Sequence, residues 1–340
     1  MKLGVICPSE IAYRRFMPAL QLVQGFEFAG LGVNSVQERF GHNIINNDYE
    51  KEIINCGRKK AQMFIDKYKG KIFESYTELV LSNDIEAVYI PLPPALHYKY
   101  AKMALESGKH VLVEKPSTIN FDDSEELVRI AKEKKLALHE NYMFNFHNQL
   151  DEIEQIIKSG IIGDIRLYRI SFGFPMRAVN DFRYNKELGG GALVDAGGYT
   201  LKYALRLLGE HARIKCAQLN YIDGFEVDMY GSAMLINDKG VTAQVSFGMD
   251  NNYKCELEVW GSTGCLNTDR ILTAPTGFVP TVTIKNGNEE KTRNLSSDDA
   301  FKKSIEYFKK CIFDNNTREN SYSNILKQAS LVEQFKILTL

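Results

Sequence analysis

The chain of 340 residues contains one tryptophan, six histidines, six cysteines and nine prolines, and its 42 Lys+Arg balance 43 Asp+Glu. A formal charge of −1 leaves no basic field for a phosphate backbone or an anionic lipid surface, so neither nucleic acid nor membrane is expected as a partner. No run approaches the roughly 18 uncharged apolar residues of a membrane span. The start, Met1-Lys2-Leu3-Gly4-Val5-Ile6, is too short and too quickly polar for a secretory signal. Cys7, Cys56, Cys216, Cys255, Cys265 and Cys311 form no C-x-x-C pair and read as reduced cytoplasmic thiols, most of them core filler. The histidines show neither H-x-x-x-H nor H-E-x-x-H spacing, which removes a protein-built zinc site. What is present is ordinary for a globular protein: 44% hydrophobic, 25% charged and 11% aromatic residues. At about 100–200 residues per domain, two domains are the first expectation and one large one the alternative.

Up to about residue 140, short apolar runs alternate with helical patterns. Leu3–Ile6, Phe26–Val33, Ile85–Ile90, His110–Val113 and Leu136–Leu138 read as strands. Ile11–Val23, Arg58–Tyr68, Leu96–Ser107 and Phe121–Lys134 read as helices, the last with acids in its first turn and lysines in its last, as the helix dipole favours. Strand–helix alternation implies right-handed βαβ units and a doubly wound parallel sheet, with ligands at the carboxyl ends of its strands. The rhythm then changes. After a helix over Asp151–Ser159, strands are expected at Ile165–Phe174, Ile214–Ile222, Asp228–Ile236, Val241–Phe247 and Cys255–Trp260. They follow one another through turn signals, which predicts an open, mostly antiparallel sheet in an α+β domain. Helices over Asp298–Phe313 and Asn324–Ile337 close the chain and are expected to pack back toward the first part. The division predicted is residues 1–145 and 146–340.

Three stretches carry chemistry. Cys7-Pro8-Ser9-Glu10-Ile11-Ala12 occupies the turn after the first strand, where G-x-G-x-x-G/A would cradle a pyrophosphate; Cys7 and Ser9 stand at the first two glycine places. An ordinary βα turn is the competing reading. Glu114-Lys115-Pro116 ends a strand and delivers Lys115 to the ligand edge of the sheet, where Pro116 permits a cis bond; a solvated lysine is the alternative. Gly189–Tyr199 is the densest glycine cluster, and four-residue spacing sets Asp195 and Tyr199 on one helical face. Such a pair suits recognition of, and proton exchange with, a sugar-like hydroxyl, while a capping Asp195 and a packing Tyr199 remain open. His97, after Pro91-Leu92-Pro93-Pro94, reads as a capping or packing residue, and Tyr142, Phe144, Phe146 and Trp260 read as core.

Taken in order, these stretches resemble the glucose–fructose oxidoreductase/inositol dehydrogenase family (Gfo/Idh/MocA). The resemblance rests on Val88–Pro93 followed by His97, on Ala104–Pro116, on Ile161–Ile165 and on Gly189–Tyr199. It implies an N-terminal Rossmann domain, a C-terminal α/β domain whose open sheet mediates homodimer or homotetramer formation, and NAD(P)-dependent chemistry at a carbinol or ketone carbon of a sugar. It places Lys115 beside nicotinamide and substrate, and it matches Asp195 to the family's aspartate. Where many members carry histidine, this chain has Tyr199, which resembles the branch with a tyrosine acid/base. The cofactor residues it implies are Cys7, Ser9, Glu10, Ile11, Asn34, Ser35, Arg58, Pro91, Leu92, Pro93, His97, Glu114 and Lys115.

The chain departs from the family in three places. Cys7 and Ser9 replace glycines, and no carboxylate follows the second strand at Asn34-Ser35, which favours NADP over NAD. About twenty residues near Val36–Gly57 look inserted, with Arg58 or Arg39 available to a 2′-phosphate. Glu140-Asn141-Tyr142-Met143-Phe144-Asn145 lacks the arginine that usually ends E-G-x-x-x-R. The resulting expectation is a cytoplasmic NADP-preferring oxidoreductase acting on a small sugar-type substrate. Tyr199 exchanges the proton, Lys115 polarises the oxygen and Asp195 binds a neighbouring hydroxyl. A cofactor- or sugar-sensing protein without catalysis is the alternative.

Overall fold

Residue periodicity places the strands of the first sheet, and hydrogen bonding sets their order. The structure, a computed structural model, describes residues 1–40 and 48–339; the side chains of residues 39, 40 and 48–51 also lie outside that description. β1 (Lys2–Val5) runs into a helix that opens with a π-type turn over Ala12–Phe16 and continues as α1 (Met17–Leu20). Then come β2 (Glu27–Gly32), α2 (Val36–Phe40), α3 (Asp48–Tyr68), β3 (Lys71–Phe73), α4 (Tyr76–Leu81), β4 (Ala87–Ile90), α5 (Pro94–Glu106), β5 (His110–Glu114), α6 (Phe121–Lys134) and β6 (Leu138–Asn141). The six strands are all parallel, in the order β3-β2-β1-β4-β5-β6. The order reverses between β1 and β4, so the carboxyl ends of those strands flank the crevice in which a doubly wound sheet binds its ligand. β4 is buried at every position and β5 at all but its first, as a sheet covered on both faces requires.

The second part contains α7 (Asn148–Lys158), β7 (Ile165–Gly173), α8 (Gly198–Leu208), β8 (Arg213–Asn220), β9 (Tyr230–Ile236), β10 (Thr242–Gly248), β11 (Lys254–Gly261), β12 (Gly264–Asp269), β13 (Thr281–Asn286) and β14 (Glu289–Asn294), then α9 (Ala300–Phe313) and α10 (Asn315–Ile337). Its eight-stranded sheet runs β14-β13-β12-β11-β7-β10-β9-β8. Every pairing is antiparallel except β7 with β10. Tyr168, Ile170, Val245, Phe247, Leu257 and Val259 alternate inward on the central strands. At about 1.5–3 kcal/mol per fully buried side chain, this apolar face is the main source of the sheet's stability. The opposite face carries Arg169, Ser171, Gln244, Ser246, Glu258 and Trp260.

The chain separates into two compact units. One holds Met1–Thr118, Asp122–Asn141 and Ser304–Leu326; the other holds Ile119–Phe121, Tyr142–Lys303 and Lys327–Leu340. In the first unit, Ser304 of α9 donates to Asn141 Oδ1 (2.7 Å) and Ser321 of α10 to the Leu138 carbonyl (2.8 Å), tying both helices to the end of β6.

Several expectations need correction. α3 begins at Asp48 and not Arg58, so the apparent insertion is in part helix; its polar first half hid the periodicity. α10 begins at Asn315 and not Asn324; its early turns are polar, with a buried Thr317 and Ser321, and carry no apolar stripe to read. Short β3 and α4, and β12 to β14, escaped notice; β14 is exposed throughout and has no apolar alternation to read. Trp260 is 53% exposed, since its place in β11 points away from the core. Of the cysteines only Cys255 and Cys311 are buried, and all six are free.

Candidate active site

In the first unit the turn after β1 is built for close approach. Ser9 opens the helix, its hydroxyl accepting from Ala12 N–H (3.2 Å). Glu10 and Ile11 follow at its exposed start, where backbone N–H groups have no intrahelical acceptor. Cys7 is half-buried and its thiol reaches the buried Tyr76 phenol. Glu10 pairs loosely with Arg14 (3.7 Å) on the surface.

After β2, Ser35 and Glu38 form a reciprocal cap on α2: Ser35 N–H donates to Glu38 Oε2 (3.0 Å) and Glu38 N–H to Ser35 Oγ (3.2 Å). Glu38 also accepts from Tyr76 N–H (3.0 Å), Thr77 N–H (2.9 Å) and the Thr77 hydroxyl (2.7 Å). Burial by itself would push this carboxyl up, but the donors from Ser35, Thr77 and Tyr76 outweigh it and hold it below its ordinary value. The first carboxylate after β2 is therefore turned inward. Half-buried Asn34 and Ser35 remain there, while Arg58 is engaged by Glu74. The side chain of Arg39 lies outside the described residues.

At the ends of β4 and β5 the chain is locked by buried polar contacts. Pro91 and Leu92 are buried and Pro93 half-buried. His97, 1% exposed, sets Nδ1 2.7 Å from the Pro116 carbonyl and Nε2 2.7 Å from the Leu92 carbonyl. Burial pushes its pKa down to about 4 against the pull of the two carbonyls, with the Lys115 charge adding to the downward shift. The ring is thus neutral at pH 7 and donates to one carbonyl at a time. The Lys115-Pro116 bond is cis and Lys115 is half-buried. Glu114 faces inward, its Oε1 accepting from Tyr89 Oη and Asn141 Nδ2 (2.6 Å each). Burial pushes its carboxyl up while those two donors and Lys115 pull it down.

In the second unit Leu193–Gly197 is a π-type turn leading into α8. The acid that caps it is Asp228, not Asp195: Asp228 Oδ2 accepts from Leu193 N–H (2.6 Å) and its carbonyl from Ala192 N–H (2.8 Å). Asp195 instead accepts from Arg183 Nε (2.7 Å), and Arg183 Nη1 reaches Asp181 (3.0 and 3.3 Å). Tyr199 is half-buried among Tyr142, Phe172 and Phe144, at centroid distances of 5.2, 5.4 and 5.6 Å. The glycines of this cluster are approached by the protein itself. A Cβ on Gly190 would meet the Arg183 carbonyl, one on Gly191 the Asp228 carboxylate, one on Gly197 the Phe247 ring and one on Gly198 the Tyr142 hydroxyl. No group of His, Cys, Asp and Glu among the described residues could hold a metal ion, and no helix there is long and apolar enough to cross a membrane.

The first unit thus brings His97, Leu92, Lys115 and Pro116 together, and the second brings Asp195 to Arg183 and packs Tyr199 in aromatics. Sequence reasoning missed Arg183, Asp181, Asp228 and Glu38. Glu38 had a signal in Ser35-x-x-Glu38; Arg183 and Asp228 lie 12 and 35 residues along the chain from Asp195 and Leu193, and Asp181 joins only through Arg183.

Residues 26–142 match the model of an oxidoreductase family with an NAD-binding Rossmann fold, and residues 150–267 match the GFO/IDH/MocA C-terminal domain. The dTDP-3,4-didehydro-2,6-dideoxy-alpha-D-glucose 3-reductase of Actinomadura kijaniata is 34% identical over 98% of this chain and 94% of its own length. The enzyme of that name from Streptomyces violaceoruber is 32% identical over the same shares. The crystal structure of the 3-ketoreductase from Actinomadura kijaniata in complex with NADP and TDP-benzene superposes with a TM-score of 0.90 at 33% identity, covering 100% of this chain and 98% of that one. Two parallel-sheet and open-sheet units, matched by both family models and by near-full-length relatives, place this chain in the Gfo/Idh/MocA family of NAD(P)-dependent oxidoreductases.

Proposed function

We propose that this enzyme is a 3-ketoreductase of a nucleotide-linked deoxysugar that uses NADPH. The observation that carries the reading is similarity along almost the whole chain to reductases named for a dTDP-linked 3,4-didehydro-2,6-dideoxy sugar. Residues 1–145 serve the dinucleotide and residues 146–340 the substrate. The first part suits the cofactor: the turn at Cys7–Ile11 offers a helix start with the small Cys7 and Ser9 at the glycine places, and beside Asn34 and Ser35 the first carboxylate, Glu38, is engaged internally and so does not oppose a 2′-phosphate. When bound, the cofactor supplies the hydride. Lys115 polarises the ketone oxygen, Tyr199 delivers the proton to it, and Asp195 accepts a hydrogen bond from a neighbouring sugar hydroxyl. Pro91, Leu92, Pro93 and His97 shape the wall of the cofactor crevice, His97 from its buried place between the Leu92 and Pro116 carbonyls.

Two copies or four associate through the outward face of the eight-stranded sheet, where Arg169, Glu258 and the exposed Trp260 flank a depression of about 560 Å³ lined by Ser171, Gln244 and Ser246. An exposed tryptophan beside an arginine on a broad sheet presents two residue types that are enriched at protein interfaces. Sedimentation of the wild type as a monomer would remove that part.

The test is direct. Purified protein is titrated with NADPH and NADH by fluorescence, then supplied with dTDP-3,4-didehydro-2,6-dideoxy-α-D-glucose while NADPH absorbance is followed. Tighter binding of NADPH and its oxidation only when the sugar is present are expected. Binding of neither nucleotide overturns the hydride mechanism, and binding without turnover overturns the substrate.

A further inference from the structure

Arg183 belongs to no part of the reading above, and both its backbone and its side chain are held by named contacts. It sits in a single 3-10 turn, Phe182–Tyr184, capped by Asp181, whose Oδ1 accepts from Arg183 N–H (3.0 Å). The Arg183 carbonyl accepts from Gly191 N–H (2.9 Å), and Gly190 packs so closely against that carbonyl that no Cβ fits. Gly191 in turn accepts from Asp195 N–H (3.0 Å). Backbone and side chain therefore close a ring: Arg183 to Gly191, Gly191 to Asp195, and Asp195 Oδ2 back to Arg183 Nε at 2.7 Å. The two side chains are only 20% and 13% exposed, so water screens the pair weakly.

We propose that Arg183 is a positioning residue that keeps Asp195 ionised and aimed, so that Asp195 acts only as a hydrogen-bond acceptor toward a substrate hydroxyl; this rests on the role given to Asp195 above. A guanidinium at hydrogen-bond distance favours the charged carboxylate, and an ionised carboxylate has no proton to give. Reciprocally, Asp195 and Asp181 outweigh the burial that would lower the Arg183 pKa and hold it above its ordinary value. The arrangement excludes Asp195 as the acid in ketone reduction and leaves that step to Tyr199. Two carboxylates share one guanidinium, and removing Arg183 withdraws from Asp195 the positive charge at 2.7 Å that favours its ionised form. A protonated Asp195 would donate where it must accept. Asp228, which packs against Gly191 from the segment before β9, is occupied by the Leu193 cap.

The test uses Arg183→Met, Arg183→Lys, Asp195→Asn and the Arg183→Met/Asp195→Asn double variant, assayed with NADPH and dTDP-3,4-didehydro-2,6-dideoxy-α-D-glucose. Arg183→Met is expected to lower kcat/KM roughly 10- to 100-fold, the range of a lost charged hydrogen bond, with NADPH affinity unchanged. Arg183→Lys, which keeps the charge, should recover part of the loss. In the Asp195→Asn background the Met substitution should add almost nothing, because its effect passes through the lost carboxylate. Full multiplication of the two effects, or wild-type kcat/KM in Arg183→Met, overturns the proposal. An Asp195→Asn enzyme as fast as wild type overturns the role of Asp195 itself. A substrate-free arm decides the matter if the sugar is not turned over: in protein labelled at aspartate carboxyl carbons, the NMR signal lost in Asp195→Asn should titrate at higher pH in Arg183→Met than in wild type. An unchanged titration sinks the clamp even if the substrate assignment survives.

Discussion

Replacing Gly191 by alanine tests the architecture that presents Asp195 and Tyr199. Gly191 has φ +121°, a conformation that L side chains rarely adopt, and the strain of forcing one into it is about 1–3 kcal/mol. The added Cβ would also lie well under 3.0 Å from Asp228 Oδ1. Because that carboxylate is the cap on Leu193 N–H, it must swing away and release the cap, a loss of about 1–2 kcal/mol. The two costs together come to roughly 2–5 kcal/mol, a large part of a typical stability of about 5–15 kcal/mol but not all of it. Trp260, the only tryptophan, lies in the same unit, so urea unfolding followed by its emission reads that unit. Asp228→Ala removes the clash together with the cap. The Gly191→Ala/Asp228→Ala double variant should therefore be about 1–2 kcal/mol more stable than the sum of the single losses predicts. A Gly191→Ala protein within about 0.5 kcal/mol of wild type would falsify both the strain and the contact.

Other outcomes follow from the same geometry. Tyr199→Phe keeps the ring against Tyr142, Phe144 and Phe172, so stability and NADPH binding should hold while turnover falls by about 100-fold or more, as loss of a general acid predicts; near-normal turnover would remove the phenol from the mechanism. Lys115→Ala should cost at least as much in kcat, measured in the same assay. His97 and His110, each pushed by burial from 6.5 down to about 4, and His147, also lowered by burial, bind protons more readily unfolded than folded. Their neutral forms thus support the fold fully above about pH 6.5, and the support is lost as pH falls toward 4, on the order of 3 kcal/mol for His97 alone. Urea midpoints measured across that window should decline toward acid, less steeply in His97→Gln; a flat profile would contradict the burial of these rings.

Much of the fold could be read from local pattern. The strand–helix alternation through β6, the limits of α6 and the run of strands after residue 160 all follow from periodicity, because burial on a covered sheet or on one helical face leaves its mark on neighbouring positions. β14 left no such mark, being exposed throughout, and neither did the polar first turns of α10. The candidate site divides along the same line. Lys115, Asp195 and Tyr199 could be named because each belongs to a stretch of distinctive residues.

What the scarcities determined holds without any structure. A balanced charge gives no overall basic field, the cysteines and histidines carry no C-x-x-C or H-x-x-x-H spacing, and alternation sets the class of each half. Only the tertiary structure decided which partners those residues have. It turned Glu38 and Glu114 inward, moved the helix cap from Asp195 to Asp228, brought Arg183 across twelve residues to Asp195, and filled the space beside the glycines with the protein's own backbone and side chains. The reason is physical. Periodicity records whether a position is buried, whereas the charge state and direction of a carboxylate depend on donors within about 3 Å that come from distant parts of the chain.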